Sequence, residues 1–180
     1  MTKKDWVDEY IIKATDDRIE CFADEWSSEI DYGTKCCESP IERAMLVAIK
    51  FKLEMDFGCV AVNILDGEGE EYGSPKIRTG SFLITPQARF GTYRVDLVVE
   101  MGIPGERLLI IVECDGHEFH ERTKEQARRD KARDRSFTVD GIHVLRFTGS
   151  EIYRDVEACA GDVVTFFVDE LFRRSIRAEG

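Results

Sequence analysis

The sequence lacks several features that would place it in a specialised class of protein. It has no run of about 18 apolar residues, the length that a membrane-spanning helix needs. Its first residues, MTKKDWVDEY, contain no apolar signal core. No CxxC pair occurs among its six cysteines, and the adjacent Cys36 and Cys37 are poorly spaced for zinc. We therefore expect no membrane span, no secretion signal, free thiols and a cytoplasmic location.

The sequence also lacks an excess of positive charge. Its net charge is −11, whereas nucleic-acid binders usually carry a basic face. An acidic total excludes nucleic acid only if no basic residues are concentrated locally. The 180 residues are 43% hydrophobic and 34% charged, and they contain no internal repeat or low-complexity linker. This composition predicts a globular, water-soluble protein with one domain of ordinary size and room for an appendage.

Residues 1–38 form a strongly acidic arm in which apolar residues recur at spacings of three to four or seven. That pattern predicts one or two amphipathic helices. The arm is either a helical cap that packs on the core or an acidic element that contacts a protein partner or mimics nucleic acid. Residues 39–180 are predicted to form the domain itself.

A helix is predicted to begin at Ser39-Pro40, with Ser39 as its N-cap, and to end near Gly58. Glu42 stands where a capping box places its acid. A short apolar run, residues 59–65, precedes a turn-rich acidic loop. The remaining pattern predicts three strands, with a Gly/Pro turn at residues 101–106, and then a helix, a fourth strand and a closing helix; these elements cover residues 81–89, 93–100, 107–114, 123–136, 142–147 and 155–173. The order αβββαβ predicts an α/β fold with a mixed central sheet flanked by helices.

Three carboxylates fall on two neighbouring predicted strands. Asp96 interrupts the apolar strand 93–100, and strand alternation places it with Arg94 and Val98 on one face. Glu113 and Asp115 end the next strand and share a face, while Cys114 points away. Two neighbouring strands can therefore bring the three acids to one sheet edge.

Clustered acids repel one another, and a divalent cation relieves that repulsion. Mg²⁺ prefers hard oxygen ligands, and such an ion polarises a phosphoryl oxygen and lowers the pKa of a bound water. The pattern therefore favours phosphodiester hydrolysis. The alternative is a capped strand end with Asp115-Gly116 as a turn and Glu113 paired to an arginine.

The segments GTYRVDLVVE, LLIIVECDGHEFHERTKEQARRDKARDR and GIHVLRFTGSEI together resemble the PD-(D/E)XK (restriction-endonuclease-like) nuclease superfamily. They are most similar to its branch of very-short-patch repair endonucleases and to an uncharacterised related family with an E-x-D-G…H signature. The resemblance covers about residues 39–173 and leaves the acidic arm unexplained.

The resemblance implies roles for individual residues. Asp96 and Glu113 match the acids that hold the metal, Mg²⁺ or Mn²⁺, together with the backbone carbonyl of Cys114. Glu42 matches an acid on the first helix that faces the site, a role that competes with its capping function. Gln87 matches a glutamine that precedes the motif aspartate and is expected near the site.

One position departs from the superfamily pattern. The motif lysine, which would orient the attacking water or steady the charge of the transition state, is replaced by Asp115. An aspartate supplies no positive charge, so the mechanism must differ there. His120, Lys124 and Arg128 are candidates to replace the lysine.

His120 also matches a histidine of the very-short-patch repair pattern and is the candidate for proton transfer, which suits histidine near neutral pH. His117 is a weaker candidate, and His143 is interpreted as structural in a half-buried strand. Asp130 and Arg133 match a D…R pair, interpreted as a structural salt bridge, and Arg146 is expected to support Glu113 or Asp115.

The helix after the motif carries basic residues at steps of four, three and four, which places them on one face: Lys124, Arg128, Lys131 and Arg135. This basic stripe is either a nucleic-acid contact or a plain solvated face. Taken together, these features predict a magnesium-dependent endonuclease with a repair or defence role and nucleic acid, by analogy DNA, as its substrate. The alternative is a non-catalytic binding module of the same fold, or a subunit of a larger complex.

Overall fold

The computed structural model describes residues 23–58, 60–63, 77–116 and 124–179. The side chains of residues 124–127, 129, 130, 178 and 179 lie outside that description. Four helices are described: α1 (residues 23–36), α2 (Pro40–Phe57), α3 (Lys124–Val139) and α4 (Gly149–Glu179). None of these helices is long and apolar enough to cross a membrane.

Seven strands complete the described secondary structure: β1 (Val60–Val62), β2 (Phe82–Pro86), β3 (Arg89–Phe90), β4 (Tyr93–Arg94), β5 (Leu97–Ile103), β6 (Glu106–Asp115) and β7 (His143–Thr148). Five of them form one sheet in the order β1-β2-β5-β6-β7. The β1–β2 and β6–β7 pairs are parallel, and the two central pairs are antiparallel. This confirms the predicted α/β fold with a mixed central sheet. The edge strand β1 lies in the short apolar run that was not counted as a strand.

The sheet is covered on both faces, which explains why β6 reads as a nearly continuous apolar run. The main core lies between the sheet and helices α2 and α4, and it includes Leu46, Val99, Ile110 and Phe167. A smaller core on the opposite face joins Val98 and Ile111 to Phe137 of α3, together with Ala88 and Val95. Alternate residues of β5 and β6 therefore enter different cores, as the pleat requires.

Local sequence signals explain where the helices begin and end. Ser39 Oγ accepts a hydrogen bond from the backbone N–H of Glu42 (3.3 Å), and α2 ends before Gly58, whose φ is 101°. Helix α4 is interrupted at Asp155, whose φ and ψ are not helical. Asp155 Oδ1 then accepts from the N–H of Ala158 (2.9 Å), so it caps the segment that the sequence predicted to start there.

Two predicted features of the central strands are wrong. The predicted strand 93–100 is broken at Asp96, which precedes β5 instead of lying inside it. Val95 and Val98 consequently share the smaller core, whereas strict alternation would separate them. Strand β5 also continues to Ile103, so the turn is only Pro104-Gly105, and the φ of 79° at Gly105 suits glycine.

The described part of the acidic arm contacts the domain. Lys50 is buried on α2, and its ammonium group donates to carboxylates of Glu29 (2.6 Å) and Glu54 (2.5 Å) and to the carbonyl of Val60 (3.0 Å). Trp26 Nε1 also donates to Glu54. Because Glu29 and Trp26 belong to α1, these bonds hold α1 against α2 in the manner of a helical cap.

Candidate active site

Asp96 and Cys114 are joined by a hydrogen bond at the adjacent ends of β5 and β6. The antiparallel register pairs Leu97 with Val112, so the residue before β5 lies beside the last residues of β6. The backbone N–H of Cys114 donates to Oδ2 of Asp96 across 2.7 Å. Glu113, in turn, lies close enough to Asp96 for the charge of Asp96 to raise the pKa of Glu113.

Glu113 is a buried carboxylate on the face of the sheet that α3 covers. Its Oε2 lies 3.4 Å from the guanidinium of Arg133, and its Oε1 is buried without a hydrogen-bond partner among the described residues. Burial raises the pKa of Glu113 to about 7, against the lowering influence of Arg133. The charges of Asp96 and Asp115 also raise that pKa, whereas Arg146 lowers it.

The pKa of Asp96 is also raised, for a similar reason. Burial raises the pKa of Asp96 to about 6, although the hydrogen bond from Cys114 lowers it. The charges of Glu42 and Asp115 raise the pKa further. Four carboxylates from three elements therefore interact, and this is the arrangement in which a divalent cation is favourable.

Glu42 joins α2 to this cluster through Gln87. Its carboxylate Oε2 accepts from Nε2 of Gln87 (2.7 Å) and from the backbone N–H of Glu38 (2.9 Å). The backbone N–H of Gln87 donates to the carbonyl of Asp96 (2.8 Å), so Gln87 links the two acids. The Glu42 carboxylate therefore bonds to the residue before the N-cap and not to Ser39 itself, as a capping box would require, and it also bonds to Gln87.

Gln87 adopts a conformation that side-chain-bearing residues rarely adopt. Its φ is 53°, in the left-handed region, at a cost of about 1–3 kcal/mol. Its side-chain Oε1 is buried without a hydrogen-bond partner in the described ranges. Gln87 therefore has one buried acceptor atom that no described protein group satisfies.

The position of the motif lysine is occupied by half-buried Asp115 at the end of β6, where it pairs in register with Thr148 of β7. The positive charge near Glu113 comes instead from Arg133 of α3, which the sequence assigned to a structural pair with Asp130. Arg133 lies four residues before the buried Phe137, so both occupy the sheet-facing side of α3. The spacing of four residues between Arg133 and Phe137 is the sequence feature that could have predicted this position of Arg133.

Arg146 lies next to Glu113 in the β6–β7 register, as expected, but its guanidinium contacts Asp134. Its charge still lowers the pKa of Glu113. The predicted side chains of His117, His120, Lys124 and Asp130 lie outside the described residues. His143 is exposed, not half-buried, and its ring packs against Phe166 with centroids 5.1 Å apart.

The basic stripe on α3 is not brought to the carboxylates. Arg128, Lys131 and Arg135 are all exposed. With 3.6 residues per turn they lie on the side of the helix opposite Arg133 and Phe137, which face the sheet. A phosphate contact by this stripe stays a prediction, and it would occur away from the acidic cluster.

The cluster suits a cation that takes few protein ligands. Within the described ranges, no group of three or more Asp, Glu, His or Cys side chains forms a ready metal cage. Mg²⁺ is usually bound through one or two carboxylates, with water and phosphate oxygens completing its shell. Asp96 and Glu113 provide two carboxylates, and the unpartnered Oε1 of Glu113 is an oxygen available to a cation.

Cys114 is suited to contribute its backbone and not its thiol. Its side chain lies in the main core, and burial raises the pKa of the thiol above its usual range. Its backbone N–H is directed to Asp96, and the N–H and C=O of one residue in an extended strand point to the same side. The donor set is therefore one of hard oxygens, as Mg²⁺ prefers.

Comparison with known proteins agrees with this geometry. Residues 74–166, more than half of the chain, match the model of the family REase_MTES_1575, a restriction-endonuclease-like domain. Families of this kind are typically metal-dependent nucleases. The matched range includes Gln87, Asp96, Glu113 and Arg133 and begins after Glu42. No curated protein and no solved structure matches the chain.

Proposed function

We propose, from the premise that the chain belongs to the restriction-endonuclease-like family REase_MTES_1575, that it is a metal-dependent endonuclease acting on DNA. The family indicates a nuclease that acts on nucleic acid. One observation supports the finer proposal most strongly. Buried Glu113 and half-buried Asp96 lie at neighbouring strand ends with raised pKa values, so their negative charges are only partly compensated by protein groups.

The proposed ligands of Mg²⁺ or Mn²⁺ are the carboxylates of Asp96 and Glu113 and the carbonyl of Cys114. Such an ion supplies Lewis acidity toward a phosphoryl oxygen and makes a nearby water more acidic. The hydrogen bond from Cys114 to Asp96 fixes the orientation of that carboxylate. The raised pKa values mean that Glu113 is still partly protonated near pH 7 without a cation, and that a bound cation favours the ionised form of both ligands.

Arg133 is proposed to take over part of the role of the missing lysine. Its guanidinium lies 3.4 Å from Glu113, and its Nε is buried without a partner in the described part of the chain. A guanidinium is always charged and donates hydrogen bonds to phosphate oxygens. Arg133 therefore supports the developing charge on the phosphate, a function that Asp115 cannot perform.

The remaining predicted residues have subsidiary proposed roles. The unpartnered Oε1 of Gln87 accepts a hydrogen bond from the attacking water. Glu42 holds the Gln87 amide in place by accepting a hydrogen bond from Nε2 of Gln87. Asp115 is a second carboxylate near that water, and His120 is the proposed proton donor to the leaving oxygen. The segment ECDGHEFH supports assignment to a branch similar to very-short-patch repair endonucleases, with a repair or defence role.

The test is cleavage of supercoiled plasmid DNA by the purified chain. We expect nicking with Mg²⁺ or Mn²⁺, none with EDTA, and none in the Asp96→Ala variant with either metal. Circular dichroism of the variant controls for folding. Cleavage by Asp96→Ala at the wild-type rate would remove Asp96 from the mechanism, and no cleavage by the wild type under any divalent ion would overturn the proposal.

One observation favours the second candidate, a non-catalytic module of the same fold. Arg133 already places a positive charge beside Glu113, and the motif lysine is absent. In that case the arginine would replace the cation permanently, and the acidic arm, residues 1–38, would dock a protein partner. Isothermal titration of Mg²⁺ and Mn²⁺ separates the two candidates. The enzyme should bind the cation with a heat that the Glu113→Gln variant loses, whereas the module should show the same heat, or none, in both proteins.

A further inference from the structure

The two-stranded β3–β4 hairpin, residues 89–94, carries an unusual pair of charges. Its sequence is Arg-Phe-Gly-Thr-Tyr-Arg, and its register places Arg89 directly opposite Arg94. Like charges directly opposite on paired strands are destabilising. The chain has 36 acidic and only 25 basic residues, so acidic partners are abundant. A close arginine pair in such a chain calls for a negatively charged ligand or partner.

The two arginines differ in their surroundings. Arg94 forms an ion pair with Glu38 across 2.5 Å, which compensates its charge. No ion pair joins Arg89 to any residue that the structure describes. Arg89 is exposed and borders a cleft of about 400 Å³ between the hairpin and the end of α3, here called the hairpin cleft. Arg89 is therefore the basic residue of this cleft, and it forms no ion pair with another described residue.

Aromatic rings and hydrogen-bonding groups line the same cleft. Phe90 and Tyr93 are cross-strand neighbours, and each packs edge-on against Phe137 with centroids 6.0 Å apart. Ser136 and Asp140 at the end of α3 add a hydroxyl and a carboxylate. The volume is within the range of about 300–1,000 Å³ that small-molecule sites occupy. A positive charge beside aromatic rings is the combination that binds unpaired nucleotides.

The hairpin is also directly connected to the candidate active site. Gln87 lies two residues before Arg89, and Asp96 lies two residues after Arg94, so each arginine is about 7 Å along the chain from the site. The N–H of Gln87 and the carbonyl of Asp96 form the hydrogen bond that closes the base of the hairpin (2.8 Å). The hairpin and the acidic cluster are therefore parts of one hydrogen-bonded unit, with Arg89 two residues from Gln87.

We propose that the hairpin cleft holds an unpaired nucleotide of the nucleic-acid strand that is cut, with Arg89 on its phosphate and the aromatic residues against its base. This inference rests on the proposed nuclease function and specifies its substrate as a strand that is single-stranded or unpaired at the cut. A base inside a duplex is stacked on its neighbours and leaves no face for the cleft. The same chemistry occurs in DNA and RNA.

The test compares two variants of the same hairpin, Arg89→Gln and Arg94→Gln, in the full-length chain. Fluorescence anisotropy measures binding to labelled single strands of about 12 nucleotides, as DNA and as RNA, and to the matching duplex. EDTA is present, so binding is read without cleavage. We expect Arg89→Gln to raise the Kd for single strands about 10-fold and Arg94→Gln to raise it less than about 2-fold. The salt slope of log Kd should fall by about 0.7 in Arg89→Gln, the loss of one phosphate contact.

A second pair of variants tests the aromatic contribution. Tyr93→Leu should weaken single-strand binding about 10-fold, because the stacking of one base on an aromatic ring has an effect of about that size. Tyr153→Leu is the control, since Tyr153 is 92% exposed on α4. If single-strand Kd values are equal in Arg89→Gln and Arg94→Gln, or if duplex binding alone weakens, the inference is overturned. Metal-dependent cleavage is measured separately, so that result would leave the nuclease proposal intact.

Discussion

Two buried glutamates on the central strands look alike at first and differ in their neighbours. Glu113 on β6 and Glu100 on β5 are both buried, and burial raises the pKa of each to about 7. Each lies near one arginine, and each has one carboxylate oxygen without a hydrogen-bond partner among the described residues. Burial, a raised pKa and an unpartnered oxygen therefore do not by themselves distinguish a site from a structural ion pair.

The surroundings distinguish the two. Glu100 is held by Arg107 at 2.7 Å, and only burial and that arginine shift its pKa. Glu113 has a looser contact of 3.4 Å with Arg133, and the charges of Asp96 and Asp115 act on it as well. A buried acid that repels other acids has a use for a cation, whereas one with a single close arginine already has its counter-ion.

The largest expected effect is the loss of activity when Glu113 is neutralised. Glu113→Gln removes a proposed metal ligand and should lower metal-dependent cleavage more than about 100-fold, since even residues that support ligands contribute 10–100-fold. Glu100→Gln is the matched control and should cleave at close to the wild-type rate. Plasmid nicking at saturating Mg²⁺ measures both. Equal losses of cleavage in the two variants would show that Glu113 contributes no more to activity than Glu100 does.

The next effect concerns the pH dependence of stability without metal. Because each pKa is raised from 4.5 to about 7, the folded state keeps a proton that the unfolded state loses in this window. Each protonated glutamate contributes roughly 3 kcal/mol to the free energy of unfolding. That contribution is complete below about pH 4.5 and is lost as the pH rises through about 7. Either Glu→Gln variant should reduce that decline, as measured by urea unfolding between pH 5 and 8.

Added Mg²⁺ sharpens the same measurement. A bound cation favours the ionised form of Glu113 and has no such influence on Glu100. In Glu100→Gln, saturating Mg²⁺ should therefore remove most of the decline due to Glu113. In Glu113→Gln, the decline due to Glu100 should persist. The assignment of the metal to Glu113 fails if Mg²⁺ changes both variants equally.

The smallest expected effect distinguishes the two arginines. Arg133→Gln should lower kcat about 10-fold without weakening Mg²⁺ binding, because it removes a charge beside the phosphate. Arg133→Lys should restore part of that loss. Arg107→Gln should leave kcat unchanged and lower the free energy of unfolding by roughly 1–3 kcal/mol, because Glu100 loses its partner. A kcat unaffected by Arg133→Gln would restrict Arg133 to a structural role.

Several features of the site were accessible from sequence because they depend on neighbours along the chain. The apolar runs predicted strands that correspond to β2, β6 and β7, and Ser39-Pro40 predicted the start of α2. The two-residue period placed Glu113 and Cys114 on opposite faces of β6, and Cys114 does enter the main core while Glu113 contacts Arg133 of α3. The alternation failed at Asp96, where the chain returns from the β3–β4 hairpin to the sheet before it enters β5.

The sequence by itself determined the α/β class with a mixed sheet and the presence of acids on two adjacent strands, since periodicity and capping act over a few residues. Only the tertiary structure decided that Gln87 bonds to Glu42, 45 residues earlier in the chain, and that Arg133 meets Glu113. It also decided that the basic stripe of α3 faces away from the acids. These outcomes depend on how whole elements pack and rotate against one another, and the free energy of that packing is distributed over contacts between residues distant in sequence.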